Sequence, residues 1–147
     1  LGYVDSDRVI FRRSPLKRQK IRPKRLEPDV HLIKLVAGAD DRFFKLLVEQ
    51  KVKGIVVEGL GRGNVPPAVA PGIKAALGAG IPVVLTTRVF GGRVLDVYGY
   101  EGGVKPLKAM GVILGGEISG QKARIKLMLA LGITSDHQQL AGYFDQE

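Results

Sequence analysis

The sequence predicts an α/β fold, a small parallel sheet of about four strands with helices on both faces in a three-layer Rossmann/flavodoxin-like arrangement. Three observations lead to this prediction. From residue 29 onward, short β-branched runs alternate with segments whose apolar residues recur at helical spacing. Glycine or proline separates most of these segments. A strand–helix–strand–helix–strand order also requires right-handed crossovers, which make the strands parallel.

The elements can be assigned in order along the chain. The run 54–58 is almost entirely apolar, which is typical of a parallel strand buried on both faces. Pro66 and Pro67 suit the first turn of a helix, where a missing N–H has no cost. Ser135 and Gln138 form a capping-box pattern that predicts the start of the last helix. The predicted strands are residues 31–36, 54–58, 81–86 and 112–114, and the predicted helices are residues 40–51, 66–79, 104–110, 121–131 and 135–144.

The first 28 residues depart from the alternating pattern. Tyr3-Val4 and residues 8–11 have the composition of strands and flank a polar tripeptide, so a short β-hairpin is predicted. Between Arg12 and Arg25 there are eight basic residues, two prolines and no acidic residue, which indicates a linker. We therefore expect a hairpin and basic linker over residues 1–28 and a compact domain over residues 29–147. A lone hairpin is marginal in water, so this one is expected to pack on something outside the chain.

Composition excludes several classes of function. The absence of cysteine excludes a disulfide scaffold, a thiolate nucleophile and a cysteine-ligated zinc site. No apolar run approaches the ~20 residues of a bilayer span, so no membrane partner is expected. His31 and His137 lack metal-ligand spacing, so no metal site is expected. The net charge of +9 would suit a polyanion, but no aromatic residues are interleaved with the basic run, and nucleic acid is not the expected partner.

Ligands of open parallel sheets bind beyond the carboxyl ends of the strands, and a glycine loop follows the second predicted strand there. Gly61 and Gly63 allow the backbone to approach a ligand closely, and Asn64 ends the loop. The spacing matches neither a dinucleotide-binding fingerprint nor a P-loop. A tight turn that simply needs glycine is an equally simple interpretation of this loop.

Two further segments lie at the same predicted edge. Thr86-Thr87-Arg88 offers two hydroxyls and a guanidinium that can clamp a carboxylate, or alternatively a strand-end cap with a structural ion pair. Glu101 stands between glycines and tyrosines, where its carboxylate could bind an ammonium group, take part in proton transfer, or simply be solvated. From the residues alone, the chain has a ligand-facing edge and no complete catalytic set.

Three motifs resemble the carboxy-terminal domain of the L-asparaginase (glutaminase-asparaginase) family. Gly54-Ile-Val-Val-Glu-Gly-Leu-Gly-Arg-Gly-Asn64 is similar to the family's second strand and glycine loop. Ile81-Pro-Val-Val-Leu-Thr-Thr-Arg88 resembles its valine pair, hydroxyl pair and arginine. Gln121-Lys-Ala-Arg124 resembles its helix start, with Gly120 where the family often has proline. Their order and spacing hold over residues 29–145.

The resemblance implies hydrolysis of L-asparagine, in some members also of L-glutamine, without a metal or organic cofactor. It implies a preceding amino-terminal asparaginase domain that carries a threonine nucleophile in a Thr-Gly-Gly-Thr segment and a Thr-Asp-Lys group. The present sequence has only Thr86, Thr87 and Thr134, so no catalytic residue is assigned to it. The isolated chain is therefore expected to be inactive.

The resemblance also implies a homo-oligomer, a dimer or tetramer, in which this domain completes the site of a neighbouring subunit. The substrate-binding residues that it implies are Asn64 and Glu101. The residues that it implies for the supporting loop are Gly61, Gly63, Thr86, Thr87 and Arg88, of which the arginine is structural rather than catalytic.

Two other functions stay open on the sequence alone. A stand-alone module could bind amino acids or another subunit at the same strand ends without catalysis. A transfer-RNA amidotransferase-associated domain is the other alternative, since related folds serve in transamidation and the linker is basic. That alternative predicts nucleic-acid binding with a steep salt dependence.

Overall fold

The computed structural model describes residues 2–6, 8–11 and 19–145. The strands are β1 Gly2–Asp5, β2 Arg8–Phe11, β3 Val30–Lys34, β4 Gly54–Gly59, β5 Val83–Thr87 and β6 Ile113–Leu114. The helices are α1 Arg42–Glu49, α2 Ala70–Gly78, α3 Val104–Ala109, α4 Gly120–Leu131 and α5 His137–Phe144, with a 3₁₀ turn Pro67–Val69 before α2. Strands β3-β4-β5-β6 form a parallel sheet in that order, and β1 pairs with β2 in a separate antiparallel hairpin. The predicted α/β class is confirmed.

The sheet separates two apolar cores, and the alternation of side chains along each strand decides which core a residue joins. Val57 and Leu85 pack on the side covered by α1, α2 and α3. Val56 and Val84 pack on the other side, against α4 and α5. All 6 residues of β4 are buried, as predicted for a parallel strand with both faces covered. The predicted arrangement of helices on both faces is therefore confirmed.

For two predicted elements, nearby prolines explain why the bounds in the structure differ from the predicted ones. Strand β5 begins at Val83 rather than Ile81, because Pro82 has no N–H to donate, and its carbonyl instead accepts from Ile55 at 3.0 Å. The single helix predicted over residues 66–79 divides into the 3₁₀ turn and α2, with a proline in the first turn of each.

The capping box predicted at Ser135 and Gln138 is wrong. The N-cap of α5 is Asp136, whose carboxylate accepts a hydrogen bond from the backbone N–H of Gln139 at 2.8 Å. A carboxylate caps the positive end of a helix at least as well as a hydroxyl, so the aspartate takes the position and shifts the start by one residue. Ser119 does precede α4 as predicted, but its side chain makes no capping hydrogen bond.

The amino-terminal hairpin forms as predicted, with Tyr3 opposite Ile10 and Val4 opposite Val9. Its apolar side chains are poorly covered: Val4 is 77% exposed and Phe11 is 78% exposed. Apolar exposure of this kind is what a hairpin with a partner elsewhere would have. Within the described part of the chain, no helix combines the length and hydropathy of a membrane span.

The packing of α1 on α2 generates a stability prediction. A methyl group on Gly72 would come within 2.7 Å of Cβ of both Asp41 and Phe44, so the two helices can cross here only with glycine. Gly72→Ala should destabilise the chain by ~1–3 kcal/mol in urea unfolding, because these neighbours cannot move aside without shifting α1. Gly78→Ala, in the last residue of α2 with open space around it, is the matched control. The control should be neutral or slightly stabilising, and equal losses in the two variants would contradict this account of the crossing.

Candidate functional site

The glycine loop leaves the carboxyl end of β4 and folds back on itself. The Leu60 N–H donates to the Asn64 carbonyl at 2.7 Å, and the Asn64 N–H donates back to Leu60 at 2.9 Å. Gly61 and Gly63 have φ of 51° and 103°, the left-handed region that other residues rarely adopt. The two glycines thus close a tight loop that presents Asn64 beyond the end of the strand.

Thr86, Thr87 and Arg88 bind the protein's own backbone. The buried Thr86 hydroxyl donates to the Val57 carbonyl at 3.1 Å. The Thr87 hydroxyl donates to the Gly61 carbonyl at 2.5 Å and so holds the glycine loop. The Arg88 guanidinium donates to the Leu35 carbonyl at 3.2 Å. This segment therefore ties β5 to its neighbouring strand and to the loop, and in this structure the guanidinium is engaged with a main-chain oxygen.

A hydrogen bond joins the loop of Asn64 to that of Glu101. The Val65 N–H donates to the Gly102 carbonyl at 2.8 Å, so the residues next to Asn64 and Glu101 are in direct contact. Gly102 has φ of 92°, and a side chain there would collide with the Val65 carbonyl. Glu101 itself is exposed. The structure thus brings together at one edge two residues that lie far apart in sequence.

The segment 92–97, for which the sequence indicates only irregular structure, supports the glycine loop from outside. The Leu95 N–H donates to the Arg62 carbonyl at 3.2 Å, and the Val94 N–H donates to Gly116 at 3.1 Å. Val94 covers Gly63 so closely that a methyl group there would lie 2.8 Å from Val94 Cγ1. No local sequence signal indicates these contacts, because they join three loops that follow different strands.

Asn64 retains hydrogen-bonding capacity that the described residues do not use. Its side-chain Oδ1 is buried and has no hydrogen-bond partner among them. A buried acceptor without a donor costs about 1–3 kcal/mol of folding free energy. Asn64 lies in the glycine loop, at the edge where parallel sheets bind ligands.

Comparison with known proteins assigns the domain. The model of the glutaminase/asparaginase C-terminal domain matches residues 29–144. This chain belongs to that family. It is 39% identical to an L-asparaginase of Bacillus licheniformis over 131 residues, which cover 89% of this chain and 41% of that protein.

Other relatives of this asparaginase C-terminal domain are named as subunits of a transfer-RNA amidotransferase. The chain is 34% identical to a glutamyl-tRNA(Gln) amidotransferase subunit of Methanosarcina acetivorans over 139 residues, 95% of this chain and 32% of that protein. It is 41% identical to the corresponding amidotransferase subunit of Pyrococcus furiosus over 113 residues, 76% of this chain and 25% of that protein. The chain therefore spans between a quarter and two fifths of the length of these curated relatives.

The threonine hydroxyls of this asparaginase-family domain are hydrogen-bonded to main-chain atoms. Thr86 and Thr87 donate to backbone carbonyls, and the Thr134 hydroxyl accepts from the Asp136 N–H at 3.0 Å. A hydroxyl nucleophile needs an activating base within hydrogen-bond reach, and the bonds recorded for these three threonines go to main-chain atoms. Among the described residues no group of His, Cys, Asp and Glu could hold a metal ion.

Removing the Thr87 hydroxyl should loosen the glycine loop. Thr87→Val keeps the shape of the side chain but loses the bond donated to Gly61 and the bond accepted from Val89. The free energy of unfolding should fall by ~1–2 kcal/mol. Hydrogen exchange of the Asn64 amide should accelerate, because its acceptor Leu60 lies in the same loop. Thr134→Val is the control, since that hydroxyl bonds only near α5. Unchanged Asn64 exchange in Thr87→Val would show that the hydroxyl does not hold the loop.

The ion pair of Asp96 with Lys108 ties segment 92–97 to α3 and gives a titration prediction. A hydrogen bond from the Lys108 ammonium, at 3.0 Å, holds the pKa of Asp96 below its ordinary 3.8. Because the folded-state pKa is lowered, the pair stabilises the fold above the ordinary pKa and is lost as pH falls through the folded value. In Lys108→Gln, NMR titration should place the Asp96 pKa closer to 3.8. The pKa of Asp40, lowered by its hydrogen bond with Arg42, should not change in the same spectra.

Proposed function

We propose that this domain completes the substrate site of an L-asparaginase-type amidohydrolase, which converts L-asparagine and water to L-aspartate and ammonia. The observation that carries the proposal is the juxtaposition of the Asn64 and Glu101 loops, joined by the Val65–Gly102 hydrogen bond of 2.8 Å. The family membership and the 39% identity to an L-asparaginase support it. The domain contributes substrate binding, and a partner domain contributes the nucleophile.

Asn64 and Glu101 have the chemistry that an amino-acid substrate requires. The exposed Glu101 carboxylate can pair with the α-ammonium group of L-asparagine in a charge-assisted hydrogen bond. The Asn64 amide offers both a donor and an acceptor, and its buried oxygen has no partner among the residues that the structure describes. Because the glycines, Thr87 and Val94 fix the loop, little conformational entropy is lost when substrate binds.

The remaining parts of the site come from outside residues 29–144. In this proposal an amino-terminal domain supplies the threonine nucleophile with its activating groups, and residues 1–28 are the end of that domain and the connection from it. A homo-oligomer, dimer or tetramer, places Asn64 and Glu101 against the active site of a neighbouring subunit. The exposed apolar hairpin supports a contact of this kind.

A second candidate is a component of a transfer-RNA amidotransferase. Two observations favour it: relatives that are named as glutamyl-tRNA(Gln) amidotransferase subunits are 34–41% identical, and the linker is strongly basic. The same edge would then bind the amide donor, while transfer RNA would associate with the assembly. Transfer-RNA binding by the complete protein, with a steep salt dependence, would favour this candidate over a free-standing asparaginase.

Release of ammonia from L-asparagine tests the main proposal. The chain alone should release none, because its threonine hydroxyls have no activating base. Mixing it with a separately made amino-terminal half that carries the Thr-Gly-Gly-Thr segment should produce activity. Activity of the chain by itself would mean that one of its own hydroxyls is the nucleophile, and the division of roles proposed here would be wrong.

Variants of the two binding residues should separate binding from folding. In the complemented enzyme, Asn64→Ala and Glu101→Gln should raise KM roughly tenfold or more, since a hydrogen bond to a charged group contributes ~1.5–3 kcal/mol. Any effect on kcat should be the smaller one, and urea unfolding of the chain should stay near that of the wild type. Glu49→Gln, an exposed carboxylate on α1, is the matched control. A wild-type KM in both test variants would overturn the assignment of these residues.

A further inference from the structure

One buried charge has no role in the site described so far. The Glu58 side chain is only 4% exposed although it lies at the carboxyl end of β4, one residue before the glycine loop begins. Its Oε2 lies 3.3 Å from the Lys34 ammonium but has no hydrogen-bond donor among the described residues. An ionised carboxylate in such a place needs compensation from nearby positive charge.

The amino-terminal end of α4 supplies the rest of that compensation. A methyl group on Gly120, the first residue of α4, would lie 2.5 Å from Glu58 Oε1, so the carboxylate is packed directly against the start of the helix. The first N–H groups of a helix have no partner within it and carry partial positive charge. The ordinary cap is missing because the Ser119 side chain makes no capping bond. The Glu58 carboxylate therefore lies beside a helix start that has no side-chain cap.

The start of α4 is connected to the Asn64 loop through two contacts. The loop before α4 includes Gly116, whose carbonyl accepts the Val94 N–H at 3.1 Å. Val94 in turn covers Gly63, the residue before Asn64. These contacts link the segment before α4 to the Val94 side chain that packs on Gly63.

We propose that Glu58 is a positioning residue that, through the start of α4 and Val94, fixes the loop carrying Asn64. Glu58 touches no substrate in this scheme. Its negative charge attracts the end of α4, and its bulk sets the distance between that end and the sheet. The consequence for substrate binding rests on the proposed function, whereas the effect on the loop does not.

The first test measures the loop directly and needs no catalytic activity. Asn64 is the only asparagine in the sequence, so selective ¹⁵N-asparagine labelling of the chain gives one backbone amide signal to follow, and uniform labelling adds that of Val94. Glu58→Gln keeps the size of the side chain and removes its charge. It should accelerate hydrogen exchange of the Asn64 and Val94 amides roughly tenfold, the effect of losing a partly buried charge at a helix end. The hydrogen-exchange rates of amides in α5 should change by less than those of Asn64 and Val94. This difference separates a local effect on the loop from general destabilisation of the fold.

A double-mutant cycle tests the contact itself. Gly120→Ala should accelerate the same amides, because its methyl group displaces the carboxylate. In a Glu58→Ala background the same substitution should have little or no effect, since the space has been vacated. Glu117→Gln, an exposed carboxylate before α4, is the matched control and should leave both amides unchanged. Wild-type exchange in Glu58→Gln, or additive effects in the cycle, would overturn the proposal.

The second test follows the consequence for substrate. In the complemented enzyme, Glu58→Gln should raise KM for L-asparagine roughly three- to tenfold with kcat changed by less, and Glu58→Asp, which keeps the charge, should recover part of the loss. A purely structural role would lower the amount of folded enzyme without moving KM. If the wild-type mixture is inactive, the proposed function fails while the exchange experiments still decide whether Glu58 holds the loop.

Discussion

The glycine loop has its shape because β4 remains fully buried up to its last residue. A side chain on Gly59 would lie 2.7 Å from the carbonyl group of Gly63, so the chain must return over the end of its own strand. Val65, only 1% exposed, then enters the core. Asn64 consequently lies between buried Gly59 and buried Val65, which restrict the movement of its backbone. The other elements of the edge, including the Glu101 loop and segment 92–97, are arranged around this turn.

A structural feature could be predicted from the sequence when its cause lies in neighbouring residues, and could not when it depends on contacts between distant segments. The buried strand 54–58 follows from its continuous apolar run and α1 from the helical spacing of its apolar residues, and both lie close to their predicted places. The predicted capping box is wrong because Ser135 and Asp136 are adjacent cap formers, and the pattern does not rank them. The contact of Val65 with Gly102 has no local signal at all, since it depends on how two crossovers close. The proposed substrate-binding residues therefore follow from the resemblance, and the structure adds the hydrogen bond that joins their loops.

Polar groups at the edge divide into those with recorded hydrogen-bond partners and two, Glu58 and Asn64, that each have a buried oxygen without a donor among the described residues. The Thr86, Thr87 and Arg88 side chains each donate a hydrogen bond to a backbone carbonyl, and these bonds stabilise the edge. Asn64 retains a buried oxygen without a donor in the described part of the chain. Folded proteins rarely leave such atoms unpaired, and exceptions concentrate where function requires them. This division supports the framework role proposed for the hydroxyls and the recognition role proposed for the Asn64 amide.

The buried Glu58 raises the question of why an apolar residue does not stand there. Replacing a buried ion pair with well-packed apolar side chains is often neutral or stabilising, so stability alone does not favour a carboxylate. A carboxylate does favour one arrangement over its neighbours, because it attracts the start of α4 only when Gly120 lies against it. A proline at residue 120, which the resembling family often has, would place its ring where the Glu58 carboxyl group now lies. The role proposed for the Glu58 carboxylate therefore depends on the absence of a side chain at residue 120.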